Sequence, residues 1–401
     1  MDSLRQPKIE EKDLHGFKHF KLLLPTLQHL HDHGCARDRA GNRQLHFDQY
    51  IALILLYFFN PILTSLRGMQ QASELDKVQR LLGCPRASLG SLSDASRVFD
   101  SDLLPGIIGE LANQLSPINP NPAFDDVKGV ITLVDGSFLR ALPGITDAMW
   151  RRKSRHTGFR LHTHFELLKG VPTRIDVTNA KVSEQTVLRN ALQPDRLYVT
   201  DRGYIGFDLF EQIMAIGSSL VCRLREHMVH EVVELRCEKD GPASDGEVIF
   251  DAVIRFSGST AQKHGFERPM RMLRVKCKPH YKRSGKTGRG GPEQGQTIIL
   301  VTDMLDVPAE TIALLYRHRW AIETFFRFFK HILGCRHLLS HSHNGVEIQT
   351  YVAIIACLLI ALWTGKKPTL RTYEMICFYF SGMASLDELL GHIEKLKRQA
   401  A

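Results

Sequence analysis

Near the carboxyl end of the chain, Tyr316, Arg319, Glu323 and Lys330 recur at helical spacing within Y-R-H-R-W-A-I-E-T-F-F-R-F-F-K. At about 100° per residue these four fall within an arc of roughly 60° on one helix face. Beside them Ile322, Phe325, Phe329 and Leu333 make an apolar stripe that presses such a helix onto a core. A carboxylate flanked by two cations and a phenol suits a metal ion and a phosphate. A surface helix with an Arg319/Glu323 pair at i,i+4 accounts for that pair taken alone. Two more acids add to the case: Asp135 follows the apolar run V-I-T-L-V, and Asp201 follows L-Y-V-T. One strand-end aspartate is ordinarily a turn residue, but two in related positions point to a site. Phosphoryl transfer uses two divalent ions about 3.5 to 4 Å apart, one activating the attacking oxygen and one steadying the leaving oxygen. Mg2+ sites are built from a few carboxylates plus the phosphate itself, so three acids from distant parts of the chain suffice.

For these side chains to meet, strands and a late helix must converge. Residues 130–134, 160–168, 172–179 and 197–200 read as strands, the middle two joined as a hairpin at Lys169-Gly170. Helices are predicted over 183–192 and 207–216, which gives a mixed α/β sheet with both aspartates at one edge. Upstream, residues 1–115 read as helical throughout. A buried helix over 46–59 is stopped by Asn60-Pro61, a broken helical period runs over 64–82, and serines suited to an N-cap open the helix over 91–99. These short helices are either a DNA-reading helix-turn-helix or a plain bundle. The proline-rich stretch S-P-I-N-P-N-P marks the boundary between these helices and the sheet. Residues 221–296 read as a β-rich insertion, with Arg274, Lys276 and Lys278 on one strand face and a Gly-rich basic loop over 279–291. A core strand over 297–302 then leads through Pro308 into the helix of Glu323.

Composition narrows the function classes. The 401 residues carry 52 Lys plus Arg against 43 Asp plus Glu, a formal charge of +9, which favours a polyanionic partner. The basic runs at Arg151-Arg152-Lys153 with Arg155, and from 268 to 289, are candidate DNA-backbone contacts. Eight scattered cysteines form no C-x-x-C pair, which points to a reduced compartment and away from structural zinc. The first residues, M-D-S-L-R-Q-P-K-I-E-E-K, lack the apolar run of a signal peptide. Residues 351–363 form an apolar run well short of the ~20 residues that span a bilayer, so a buried core helix and no membrane are expected. His156, His162, His164, His341 and His343 read as sheet or surface residues rather than a metal site.

The motifs closely resemble one family. Tyr316, Arg319, Glu323 and Lys330 complete the pattern Y-x2-R-x3-E-x6-K; D-R-G-Y stands at 201–204 and V-D-G-S ends at Ser137. In these features the chain resembles a DDE transposase of the RNase H-like superfamily, of the insertion-sequence family four type, from about residue 60 to 363. The resemblance implies an RNase H-like mixed sheet flanked by helices, a β-rich insertion and an all-helical N-terminal domain. The implied order is a DNA-binding domain over 1–115, a catalytic core over 123–220 and 297–365, an insertion over 221–296 and a helical tail over 366–401. Asp135, Asp201 and Glu323 would hold two Mg2+ ions, with Mn2+ able to substitute. Tyr316, Arg319 and Lys330, with Arg202, would contact DNA phosphates. The implied activity is hydrolysis at transposon ends followed by strand transfer into target DNA, by a homodimer on terminal inverted repeats in the bacterial cytoplasm, associated with the nucleoid when bound. Tyr281 and Phe256 in the insertion are candidates for holding a flipped base, whereas Trp320 lies on another part of the helix from Glu323 and reads as core. A catalytically inactive DNA-binding regulator, or a metal-dependent nuclease without strand transfer, are the alternatives.

Overall fold

The computed structural model describes residues 27–33, 38, 41, 43–118, 120–140, 158–179, 182–239, 244, 246–276, 297–334, 338–340 and 342–398. Its described strands are β1 (Val130–Arg140), β2 (Gly158–Glu166), β3 (Val171–Asn179), β4 (Arg196–Thr200), β5 (Ser219–Arg223), β6 (His230–Glu238), β7 (Val248–Phe256), β8 (Met270–Lys276) and β9 (Thr297–Thr302). They form one sheet in the order β3-β2-β1-β4-β5-β9-β8-β7-β6. The β1–β4 and β4–β5 pairs are parallel and the others antiparallel, so the sheet is mixed. The strands of the expected insertion extend this sheet through β8–β9 pairing. The first of them, β5, pairs with β4 inside the sheet although it lies across the boundary expected at residue 221.

The described helices are α1 (Leu30–His33), α2 (Phe47–Phe59), α3 (Leu66–Ser73), α4 (Asp76–Leu82), α5 (Leu89–Val98), α6 (Leu104–Asn113), α7 (Glu184–Asn190), α8 (Phe207–Ala215), α9 (Ser259–Lys263), α10 (Ala309–His318), α11 (Trp320–Gly334), α12 (His343–Thr364), α13 (Leu370–Phe380) and α14 (Leu386–Arg398). Alternation along the strands sends Leu133, Leu197 and Val199 to one face, where they join side chains of α2, α6, α11 and α12 in one apolar cluster. Val134, Tyr198 and Leu220 take the other face, under α8 and the aromatic side chains of β7 and the segment after α9.

Local signals explain several helix ends. Asn60, extended before Pro61, stops α2, because the residue preceding a proline is driven out of the helical region. The serine that caps α5 is Ser88, whose hydroxyl accepts from the Ser91 N–H; Ser91 lies inside the helix. The apolar run at 351–363 belongs to a longer, 22-residue helix, α12, capped by Ser342 and closed by left-handed Gly365. By length and apolarity α12 is able to cross a membrane, but it is packed inside the protein along nearly all of its length. Its polar early residues are held by tertiary bonds: Asn344 donates to the carbonyls of Ser96 and Phe99, and Glu347 accepts from Ser101.

Candidate active site

Asp135 and Asp201 are neighbours because β1 and β4 run parallel in register. The last pair between them is Leu133 with Val199, and each aspartate stands two residues further on. The register is set at the strand entrances, where the Val130 N–H donates to the Asp195 carbonyl at 2.9 Å. Gly129 is required there: its φ is +82°, and a Cβ would lie 2.8 Å from that carbonyl. Asp135 does not end its strand. β1 continues to Arg140 because β2 keeps pairing with it, Asp135 lying opposite Thr163. Only the β4 side of β1 is released before the carboxylate. By alternation both aspartates share the face of Leu133 and Val199, the face that α11 covers.

Residues 316–330 are not one helix. α10 ends at His318, Arg319 lies between the two helices at φ −54° and ψ −27°, and α11 begins at Trp320. The near-helical link preserves the shared face at its amino end. Arg319 donates from Nη1 to Asp135 Oδ2 at 3.0 Å and from Nη2 to Glu323 Oε1 at 2.8 Å, and its guanidinium lies over the Tyr316 ring at 5.8 Å. Ile322, Phe325 and Phe329 are buried as the apolar stripe demands, joined by Phe326, Phe328 and Ile332; the Leu333 side chain lies outside the described residues. Lys330 is half-buried and has no hydrogen-bond or ion-pair partner among the described residues, and the Asp135 charge bears on it.

The electrostatics are those of converging acids. Burial pushes the Asp135 carboxyl up to about 7, with Arg319 and the Gly136 N–H opposing and the charges of Asp201 and Glu323 adding to the rise. Burial pulls the Arg319 guanidinium down, but Tyr316, Asp135, Glu323 and Asp201 outweigh it and raise it overall. Burial also raises the Tyr316 hydroxyl, against Arg319 and Arg223, and lowers the Lys330 ammonium. Three buried polar atoms around the site have no hydrogen-bond partner among the described residues: Arg319 Nε, the Tyr204 hydroxyl and the Thr163 hydroxyl. Orphans of this kind are rare in folded proteins and mark where a water, an ion or a ligand group belongs.

Oxygen-only donors that repel one another, beside orphaned hydroxyls, fit a hard divalent cation in donor chemistry. Among the described residues no three His, Cys, Asp or Glu side chains already close around one point. Arg319 bonds Asp135 and Glu323 at once, so one oxygen of each carboxylate is ion-paired in this structure.

Arg202 is exposed and, with Arg223 and Arg225, lines a cavity of about 310 Å³ beside the second acid. Other expected contacts are engaged elsewhere. In the run from 268, Arg268 pairs with Glu211, Arg271 is buried on Asp251, and Arg274 lies over the Phe250 ring. Phe256 is buried against Phe207 and Phe266, whereas Trp320 is 37% exposed. His162 and His164 are buried in β2, where burial holds them down to about 4 and about 3. Tyr281, His156, His341, the basic run at 151–155 and residues 277–291 lie outside the described residues.

One acid escaped sequence reasoning. Glu184, the first residue of α7, is seated between the two aspartate turns and ion-paired to Arg160 at 3.2 Å. Its only sequence signal was a carboxylate at a helix start after a strand, a common arrangement with a macrodipole explanation.

Residues 127–359, more than half of the chain, match the Transposase DDE domain family. A protein of Sinorhizobium fredii named as a putative transposase, y4zB, is 29% identical over 215 residues, covering 53% of this chain and 56% of that protein. A protein of Geobacillus stearothermophilus named as the probable transposase for insertion sequence element IS5377 is 38% identical over 99 residues, 23% of this chain and 26% of that one. The chain therefore spans about half the length of the first relative and a quarter of the second. The piggyBac transposase, solved as a synaptic complex with hairpin DNA, aligns over 87% of this chain and 75% of its own at 10% identity and a TM-score of 0.39.

Proposed function

The chain belongs to the Transposase DDE domain family, and from that membership we propose that it is a DNA transposase of the insertion-sequence family four type, working by cut-and-paste on an RNase H-like core. The observation that carries this reading is Arg319, bonded to Asp135 and Glu323 from distant parts of the chain while the charge of Asp201 bears on the same group.

In this proposal Asp135, Asp201 and Glu323 hold two Mg2+ ions, with Mn2+ as a substitute, and the metal supplies activation of the attacking oxygen and stabilisation of the leaving one. The chain's own groups do the rest. Tyr316, Arg319, Lys330 and Arg202 bind DNA phosphates: the Arg319 fork suits a bidentate hold, Lys330 a point contact, and the orphaned Arg319 Nε offers a further donor. A phosphate arriving at Arg319 competes with the two carboxylates for the same guanidinium, so DNA binding frees the acids as it is itself held. Arg223 and Arg225 extend the cationic surface past Arg202. The N-terminal helices over 1–115 contact the terminal inverted repeats, two copies pair on DNA, and the bound protein sits on the nucleoid.

The test is Mg2+-dependent cleavage of a labelled duplex carrying the element's own end, comparing wild type with Glu323→Gln. Loss of cleavage by at least 100-fold with retained DNA binding supports the reading. Binding without cleavage by wild type favours a regulator, and cleavage without strand transfer favours a nuclease. Equal cleavage by both proteins removes Glu323 from the chemistry.

A further inference from the structure

We propose that Glu184 is a positioning residue that sets the spacing of the two aspartate turns and so shapes the site for a divalent cation; this rests on the metal-dependent reading of the site. The two oxygens of its carboxylate press on two different glycines. A Cβ on Gly136 would lie 2.5 Å from Oε1, and a Cβ on Gly203 would lie 2.5 Å from Oε2. These are the glycines whose N–H groups hold the acids: Gly136 donates to Asp135 Oδ1 and Gly203 to Asp201 Oδ1, each at 2.8 Å. One carboxylate thus spans both turns, and side chains at either glycine would push it out.

The wedge is anchored on two sides. Arg160 of β2 pairs with Oε1 at 3.2 Å. The next residue, Gln185, donates to the carbonyls of Gly203 and Ile205 at 3.2 and 2.7 Å, fastening α7 to the turn after Asp201. The Tyr204 hydroxyl in that turn is buried and has no hydrogen-bond partner among the described residues. Burial and the Asp201 charge act against the Glu184 carboxylate, and the Arg160 guanidinium opposes them. The ion pair thus keeps the wedge in place, and the spacing it fixes between the two turns serves a cation shared by the aspartates.

Mn2+ binding, followed by water-proton relaxation in the absence of DNA, tests this without reference to activity, with melting temperature as the fold control. Glu184→Gln keeps the shape and is expected to bind within threefold of wild type. Glu184→Ala and Gly136→Ala are expected to bind at least tenfold more weakly. In the Glu184→Ala background Gly136→Ala is expected to add little, because the three atoms nearest that Cβ all belong to Glu184. Equal binding by wild type and both alanine variants, with all folded, overturns the positioning role. Equal weakening by Gln and Ala also overturns it, by showing that the charge and not the shape is needed. If wild type binds no Mn2+, the metal-dependent reading fails and this inference with it.

Discussion

At Asp135 the protein holds a carboxylate where the fold favours its neutral form. The group ionises near 3.8 in an unfolded chain and at about 7 in the fold. A raised acid pKa means that the unfolded state releases its proton first, so folding stability falls as pH rises from about 4 through 7. Asp135→Asn removes that ionisation. In metal-free buffer its melting temperature is expected to exceed that of wild type by several degrees at pH 8, with the gap closing as pH falls towards 4. A gap that does not change with pH would rule out the assigned shift. Arg319 limits the cost without abolishing it, since it bonds Asp135 and Glu323 together but leaves its own Nε orphaned. Stability given up at a few named groups is the ordinary sign of a site kept for chemistry.

The elements that present these groups are held by a buried clasp far from them. Arg271 of β8 and Asp251 of β7 are each under a tenth exposed and share two parallel hydrogen bonds, Nε to Oδ1 at 2.8 Å and Nη2 to Oδ2 at 2.7 Å. The remaining guanidinium nitrogen donates to the carbonyls of Leu305 and Val307, in the segment that leads into α10. The sheet extension therefore holds the segment from which α10 starts. Arg271→Ala leaves the Asp251 charge buried without its partner and removes the tie to that segment. A loss of about 3–5 kcal/mol in urea unfolding is expected. Replacing both residues by apolar ones of similar volume should recover part of it, and an unchanged midpoint in the single variant would dismiss the clasp. Arg271 was legible only as one cation in a basic run, because nothing local tells a buried Arg from a solvated one.

Across the molecule, among the described residues, the N-terminal helices do not carry a separate core. Phe47, Phe58 and Phe59 of α2, with Ile107 and Leu111 of α6, belong to the same cluster as Phe329 of α11 and Ile354 and Leu358 of α12. Tyr373 of α13 donates its hydroxyl to the Phe58 carbonyl at 2.6 Å, and Phe59 stacks on Phe380. A chain beginning at residue 120 would expose the faces of α12 and β3 that α2 and α6 cover. Each large aliphatic side chain so exposed costs about 1.5–3 kcal/mol. Such a truncation is expected to give no cooperative melting transition by circular dichroism, whereas the full chain gives one. A truncated chain that melts cooperatively within a few degrees of the full one would show that the two parts fold independently.

The acids, the Y-x2-R-x3-E-x6-K pattern and the alternation of the core strands were legible because each depends on short spacings: two residues along a strand, three or four along a helix. Those spacings placed Asp135, Asp201 and Glu323 on or beside the elements that carry them. They missed the break at Arg319, which is one residue long and stays helical in φ and ψ. They also missed the true length of α12, whose polar first turns are kept inside by bonds to residues more than 240 positions away. Glu184 shows the limit most plainly: its role depends on touching Gly136 and Gly203, one in each of two other segments. Sequence determines which groups are present and which face of an element they take. Only the folded chain decides which faces meet, because β1–β4 register and helix packing are set by contacts that local spacing does not encode.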